Sequence, residues 1–265
     1  GKLSWTSREV DAALFCCFPK ATDPITNEVL ADVGSFDKLA DGFATALIGI
    51  AHMEVLSRRC KACKPGRVKW LSLWGDLPSH GKKDQETGEH HLYGHLFLSP
   101  ATVQQDPDLD DPSGNYLSAG LQMIEASGTD HTSALQAGVG MNVEDIDLVL
   151  DSKKLRRAAA LATDGSDAGY ALAKLDMSTV SMLYRHGFLA RMLKLSVKDL
   201  LSFIQLSGID PFPTLQNTKL TTIEEDKVFN GTLPFIELVL RAKALKMKAE
   251  ELEFWCRHRY DEAGS

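Results

Sequence analysis

Several features that assign a function class quickly are scarce or missing in these 265 residues. Five cysteines are too few and too irregularly spaced for a disulfide framework, so we expect reduced, mostly buried thiols. No apolar run approaches the ~20 residues that span a bilayer, because Asp41 and His52 bracket the most apolar segment. The motifs of phosphate-binding loops, α/β-hydrolases and zinc proteases are also missing. The sequence therefore shows no sign of a disulfide-rich protein, a membrane-spanning helix or any of these three enzyme classes.

Basic residues are fewer than acidic residues in this chain. The chain has 29 Lys and Arg against 36 Asp and Glu, a formal net charge of -7 and a pI near 5.6. This excess of acid argues against nucleic acid or an anionic membrane surface as the partner, because both are negatively charged. The chain begins at Gly1 without the features of a secretory signal, so we expect a processed chain or an excised piece. That end leaves the localisation unknown.

What the chain does contain is a ten-residue pattern in four copies. Each copy has a large apolar residue first, a polar residue second, an acid fifth and an aliphatic residue sixth. The copies are Trp5-TSREVDAAL, Met141-NVEDIDLVL, Leu195-SVKDLLSFI and Met247-KAEELEFWC. In such a helix start the second residue is the N-cap, and the fifth residue reaches back to the backbone N–H of the cap. The pattern predicts one structural unit used several times.

The roles within the pattern follow from position. The predicted N-cap residues are Thr6, Asn142, Ser196 and Lys248, and the acids that face them are Glu9, Asp145, Asp199 and Glu251. The first and sixth residues predict hydrophobic staples, namely Trp5 with Val10, Met141 with Ile146, Leu195 with Leu200 and Met247 with Leu252. Lys248 cannot accept a hydrogen bond, which should weaken that helix start by ~1 kcal/mol. A fifth, degraded copy begins at Cys63.

Helical spacing of apolar residues fills the chain between these openings. It covers residues 36–59, 178–193 and 232–245. Gly208 ends the helix that follows Ser196, and Pro211 forbids its continuation, so the chain must turn back there. Only residues 116–124 are compatible with a short strand. We predict an all-α, strand-poor fold of stacked helix-pair units, which is an irregular helical bundle or solenoid.

Three parts are predicted along the chain. An N-terminal helical part covers residues 1–80, a segment with polar insertions and loops covers 81–130, and a C-terminal helical part covers 131–265. The same pattern is compatible with one continuous helical domain, because the longest gap between copies contains two polar insertions.

Five segments, in order along the chain, carry a family resemblance. They are SWTSREVDAALFCCFP with DPIT (4–26), WLSLWGDLPSHG (70–81), LYGHLFLSP (92–100), SMLYRHGFLARMLKLSVKDLLSFIQLSGIDPF (181–212) and TLPFIELVLRAKALKMKAEELEFWCRH (232–258). Together they resemble the A subunit of Tc toxins, the large insecticidal toxin complexes, and the related Salmonella plasmid virulence A proteins. The resemblance is strongest from Ser181 onward.

This resemblance implies an α-helical shell region that surrounds a central pore-forming channel in a pentamer. It implies no catalytic residue and no cofactor here, since the toxic enzyme of the family is carried on another component. The implied partners are other domains or protomers of a larger toxin-like assembly, and the implied location is secreted. The family's A subunits are many times longer, and their channel and linker segments have no counterpart here. We therefore expect no membrane insertion by this segment alone.

Two residue pairs are candidate metal ligands. His91 and His95 lie one helical turn apart, a spacing that can hold zinc, but no glutamate follows the first histidine as in a zinc protease. Cys60 and Cys63 form a lone CxxC without the second pair of a zinc ribbon. A mixed site of these cysteines with His52 or His95 is the alternative. We favour a helix start and a helix end, and we predict no metal.

Two polar clusters have structural interpretations. Asp106, Asp108 and Asp110 begin like a calcium loop but lack its glycine and its final glutamate, so a solvated acidic loop is predicted. On the helix over residues 178–193, Tyr184 is predicted to pack in the core and Arg185 to be solvated.

The sequence thus predicts a non-catalytic structural module that packs against neighbouring domains or protomers. The residues expected to matter are the caps, the staples and the breaks at Gly208 and Pro211. A stand-alone α-helical protein–protein interaction scaffold is the main alternative, and an exposed apolar groove beside the Tyr184 helix would favour it. A metal-dependent enzyme at residues 89–95 is the third hypothesis.

The capping assignment is testable by urea denaturation. We expect Ser196→Ala to lower the free energy of unfolding by ~1 kcal/mol, because the N-cap acceptor is lost. Lys248→Ser should raise it slightly, because it supplies an acceptor that the wild type lacks. The assignment is wrong if both substitutions prove neutral.

Overall fold

The computed structural model describes residues 69–70, 72–77, 92–111, 116–117, 121–125, 127–153, 174–212 and 231–257, with the backbone alone at 253 and 255–257. Helices account for 65% of the described residues and strands for 5%, so this part of the chain is mostly helical and compatible with the all-α prediction. In these ranges no helix is long and apolar enough to cross a membrane.

The chain divides into two compact units. The first consists of Gly1–Ser118 and Pro213–Phe229, and the second of Ala119–Phe212 and Asn230–Ser265. The chain therefore leaves the second unit after Phe212 and re-enters it at Asn230. The Thr232 hydroxyl donates a hydrogen bond of 2.7 Å to the Pro211 carbonyl, which joins the exit and the re-entry within the second unit. The three-part division of the chain stays a prediction.

In the first unit the described helices are short. They are α1 (Leu92–Phe97), α2 (Pro100–Gln105) and a 3-10 helix (Pro107–Leu109). The Ser99 hydroxyl begins α2 by accepting from the Thr102 backbone N–H at 3.2 Å, and Pro100 takes the first position, where its missing N–H loses no bond. A local sequence signal thus defines where α2 starts.

Aromatic side chains fill the core of this unit. Tyr93 is fully buried, and its hydroxyl donates to the Leu109 carbonyl at 3.0 Å. Its ring centroid lies 5.0 Å from that of Phe97 and 4.8 Å from that of Tyr116. Burial raises the pKa of the Tyr93 phenol well above its ordinary value, so it stays a neutral donor.

The predicted solvated acidic loop is wrong at its first aspartate. Asp106 is only 4% exposed, whereas Asp108 and Asp110 are exposed. The reason is that Asp106 ends α2, with its backbone N–H donating to the Thr102 carbonyl at 2.7 Å. The stretch that was expected to be a loop is folded into helical turns.

The second unit contains six described helices and two short strands. The helices are α3 (Thr132–Val139), α4 (Val143–Ser152), α5 (Met177–Leu193), α6 (Val197–Ser207), α7 (Thr232–Ala244) and α8 (Ala249–Arg257). Strands β1 (Leu121–Gln122) and β2 (Lys174–Leu175) pair antiparallel, with Leu121 opposite Leu175. The strand expected within residues 116–124 is thus present. Its β1 part pairs with a distant segment, and Ile124 at its end forms an antiparallel bridge with Asp130, as in a short hairpin arm.

Three consecutive helix pairs make up most of this unit: the first pair is α3–α4, the second α5–α6 and the third α7–α8. Helix α5 is the centre, because it contacts α3, α4, α6 and α7. Eleven of its 17 residues are buried, including the polar residues Ser181, Arg185 and His186. Helix α6 contacts α4, α5, α7 and α8, so it links all three pairs.

A glycine permits the closest approach between the first two pairs. A Cβ atom on Gly187 would lie 2.8 Å from both Cγ and Sδ of Met141 and 3.1 Å from the Val139 carbonyl oxygen. These distances are shorter than ordinary van der Waals contact. Helix α5 can therefore lie against the turn between α3 and α4 only without a side chain at this position.

We expect Gly187→Ala to lower the free energy of unfolding by up to ~2 kcal/mol, because crowding that costs ~1–3 kcal/mol outweighs the ~1 kcal/mol gain in helix propensity. Thermal or urea unfolding measures the effect. The penalty should shrink in a Met141→Ala background, where the crowded side chain is gone. A stabilised Gly187→Ala protein would contradict this packing.

Candidate functional site

The three helix pairs share the same turn between their helices. Each turn has a residue in the left-handed conformation, then an apolar residue, then the residue that precedes the next helix. The left-handed residues are Gly140, Lys194 and Lys246, with φ of 66°, 51° and 59°. The apolar residues are Met141, Leu195 and Met247, and their backbone N–H groups donate to the carbonyls of Gln136, Ala190 and Ala242 at 3.3, 2.9 and 3.0 Å. This bonding, five residues back, is that of the Schellman motif.

The helix starts after these turns follow the capping pattern. Asn142 Oδ1 accepts from the Asp145 N–H at 2.7 Å. Ser196 Oγ accepts from the Asp199 N–H at 3.0 Å and donates to Asp199 Oδ2 at 2.8 Å. The two described N-caps therefore have their side chains in capping positions.

The third pair has only the reciprocal half of a capping box. The Lys248 backbone N–H donates to Glu251 Oε2 at 3.1 Å, and Lys248 offers no side-chain acceptor in return. The sequence predicts this difference, because a lysine stands at the N-cap position of that helix.

The other predicted positions differ in how they are placed. Gly208 ends α6 in the left-handed conformation, with φ of 66°, and Pro211 is buried. Of the staple residues, Met141, Ile146 and Leu200 are buried, and Leu195, Met247 and Leu252 are half-buried. Thr6, Glu9, Cys60, Cys63 and His91 lie outside the described residues, and His95 is exposed near the end of α1.

A basic side chain of each later pair bonds to the turn of the pair before it. Arg191 Nη1 donates to the carbonyls of Val139 and Gly140 at 3.0 and 2.8 Å. Lys243 Nζ donates to the carbonyls of Leu193 and Lys194 at 2.7 and 3.3 Å. We call this contact the basic clamp. It satisfies carbonyls that a helix end leaves without partners, and it places a cation at the negative end of the helix dipole.

The two clamps occupy equivalent positions. Arg191 and Lys243 each stand four residues before the apolar turn residue of their own pair. The carbonyls that accept are one and two residues before the apolar turn residue of the preceding pair. In the first pair the same position holds Ala137, which has no donor. Sequence reasoning missed this site, although the basic residue at the same offset in two copies was a detectable signal.

The expectation that Arg185 is solvated is wrong. Arg185 is 6% exposed, and its Nε donates to the Ser181 carbonyl at 3.3 Å. The physical reason is that α5 is enclosed by four other helices, so even a charged position on it is covered. Tyr184 packs as predicted: it is 2% exposed, and its ring is stacked on Phe188 at a centroid distance of 5.9 Å.

His186 is the most completely buried titratable side chain of α5. It has no exposed surface, its Nδ1 is 2.8 Å from the Met182 carbonyl, and its ring centroid lies 4.5 Å from that of Phe212. A carbonyl can only accept, so Nδ1 carries the proton of the neutral ring. Burial lowers the pKa of His186 to about 4, and Lys153 and Arg185 add to this effect.

An open groove of about 490 Å³ lies beside the same helix. Its apolar lining comes from Leu148, Leu201 and Ile204, and Lys153 and Lys198 line it as well. Leu148 is 39% exposed, so part of this apolar surface is open to solvent.

Comparison of the chain with family models, with curated proteins and with solved structures finds no match in any of the three. The likeness to Tc toxin A subunits therefore stays a prediction carried by the sequence segments.

We expect Arg191→Met and Lys243→Met each to lower the free energy of unfolding by ~1 kcal/mol, because a charged donor to two carbonyls is lost at a partly exposed site. Arg241→Met is the matched control, since it removes a charge from the same helix as Lys243 without removing a clamp. Urea denaturation of the three variants compares them. Equal effects of Lys243→Met and Arg241→Met would mean that the clamp adds nothing.

Acid should destabilise the second unit through His186. Below pH 6.5 the unfolded imidazole takes up a proton, whereas the folded one stays neutral until about pH 4. The free energy of unfolding should therefore fall by about 3 kcal/mol from this residue alone between pH 7 and pH 4. In His186→Gln the difference between the free energies of unfolding at the two pH values should shrink by that amount. An unchanged difference in His186→Gln would refute the assignment.

Proposed function

We propose that this chain is a non-catalytic structural module in which successive helix pairs stack on one another, as in the α-helical shell of a Tc toxin A subunit. Its task is to pack against neighbouring domains or protomers of a larger, secreted assembly. The basic clamp is the observation that carries this proposal, because each clamp joins one pair to the turn of the pair before it. A contact made at the same offset in successive pairs is typical of a repeat protein, where stability comes from nearest-neighbour interfaces.

The composition of the described core supports the same proposal. Three buried polar side chains of α5 bond to its own backbone: Ser181 Oγ donates to the Met177 carbonyl, Arg185 Nε to the Ser181 carbonyl and His186 Nδ1 to the Met182 carbonyl, and the His186 ring lies against Phe212. The hydrogen bonds lie within α5, and the ring contact joins α5 to Phe212, where the chain leaves the unit. Roles of this kind suit a packing module.

The native protein provides the test. We would raise an antibody against this chain, isolate the protein from its source under native conditions, and measure both the native mass and the mass of the polypeptide. The proposal expects either mass to be several-fold larger than 29.1 kDa, with this chain as part of the assembly. A free monomer near 29.1 kDa would contradict it.

A stand-alone interaction scaffold is the second candidate function, and the groove lined by Leu148, Leu201 and Ile204 favours it. The same measurement separates the two candidates, because a scaffold would be found as a free chain near 29.1 kDa. Metal analysis of the purified protein tests the enzyme alternative. Stoichiometric zinc that is lost in the His91→Ala/His95→Ala variant would support a metal site, and a metal-free protein of unchanged stability would end that hypothesis.

A further inference from the structure

The third helix pair exposes apolar residues at positions that are buried in the earlier pairs. Leu245, two residues before the apolar turn residue of the third pair, is 71% exposed. The equivalent residues of the second and first pairs, Leu193 and Val139, are 4% and 0% exposed. Leu240 is 43% exposed, whereas Phe188 at the same offset in the second pair is 5% exposed. Within the part of the chain that the structure describes, the third pair therefore lacks the cover that its predecessors have.

The same turn also offers acceptors to which no described basic side chain donates. In the first and second pairs, a basic side chain of the following pair donates to the carbonyls one and two residues before the apolar turn residue. In the third pair these are the carbonyls of Leu245 and Lys246. Among the described residues, no basic side chain donates to either of them. The acceptor half of a basic clamp is thus present without its donor half.

We infer that the turn face of the third pair, formed by Leu240, Leu245 and Lys246, is a docking surface for a further helix pair on a partner. The first helix of that partner carries Arg or Lys four residues before its apolar turn residue, and this side chain donates to the Leu245 and Lys246 carbonyls. The inference rests on the proposed function, since it assumes that pairs pack in succession. A further pair at this place would continue an interface that is formed twice in the same unit.

A second copy of this chain does not fit the surface through its described pairs. In a second copy, the first pair is the one that would follow the third pair of the original copy. It has Ala137 at the position of the clamp donor. The donors of the other two pairs, Arg191 and Lys243, already bond to turns within the chain. Within the described pairs a second copy thus offers no free cation, and the surface calls for a partner that brings its own.

The probe is the third pair itself, appended to the full chain. A second copy of residues 213–265 is fused after Ser265, so that a connector of similar length to that between α6 and α7 precedes the added pair. This added pair carries Lys243, the clamp donor of the natural interface. The substitution Leu238→Val in the added copy changes the mass of its peptides, so the two copies can be told apart by mass spectrometry.

Hydroxyl-radical labelling followed by glutamate-specific digestion reads the surface directly. Cleavage after Glu237 and Glu250 releases one peptide that contains both Leu240 and Leu245. We expect labelling of both leucines in the original copy to fall several-fold in the extended chain. With Lys243→Met in the added copy, docking should weaken by about tenfold and labelling should return towards its unextended level. With Arg241→Met in the added copy, the matched loss of charge, protection should persist.

Two results would overturn the inference. In the first, Leu245 is labelled equally in the extended and the unextended chain. In the second, Leu245 of the unextended chain becomes protected as its concentration rises, which would make a second copy the occupant. Failure of this inference can be told apart from failure of the proposed function. A large native assembly with an unprotected Leu245 would contradict the docking surface only. A native monomer near 29.1 kDa would contradict the proposed function.

Discussion

The ends of α-helices create the constraint on which the second unit depends. The last carbonyls of a helix have no partner within it, and a turn of three or four residues cannot satisfy all of them. The Schellman bonds at Gly140, Lys194 and Lys246 provide hydrogen-bond donors for some of these carbonyls. Arg191 and Lys243, each from the next pair along the chain, donate to others. Completion of the first two turns therefore depends on the following pair, and this fixes the order in which the three pairs pack.

The same turns contain a conformational cost that the packing has to offset. A left-handed residue other than glycine costs roughly 1–2 kcal/mol, and two of the three turns use lysine in this conformation. The turn cannot relax to avoid this cost, because the apolar residue that follows must donate five residues back and then lead into a capped helix. Buried neighbours such as Leu193 and Val139, together with the clamps, hold the turn in place.

Local features of the sequence predicted the elements of this unit well, and long-range features were not predicted. The helix expected over residues 178–193 is observed as Met177–Leu193, and that expected over 232–245 as Thr232–Ala244, because apolar periodicity and caps act within a few residues. The clamps join residues about fifty positions apart, so no local pattern contains both partners. The burial of Arg185 likewise depends on four helices that surround it, which a single helical pattern cannot show.

The clamps have a consequence for how this protein can diverge. Their acceptors are main-chain oxygens, which every amino acid supplies, so substitution at the receiving turn leaves the bond chemically intact. Glycine at one receiving turn and lysine at the next already illustrate this freedom. Only the donor position restricts the type of residue, and both arginine and lysine occur there. Mutational drift can therefore erase most sequence likeness between such pairs while their mutual arrangement survives.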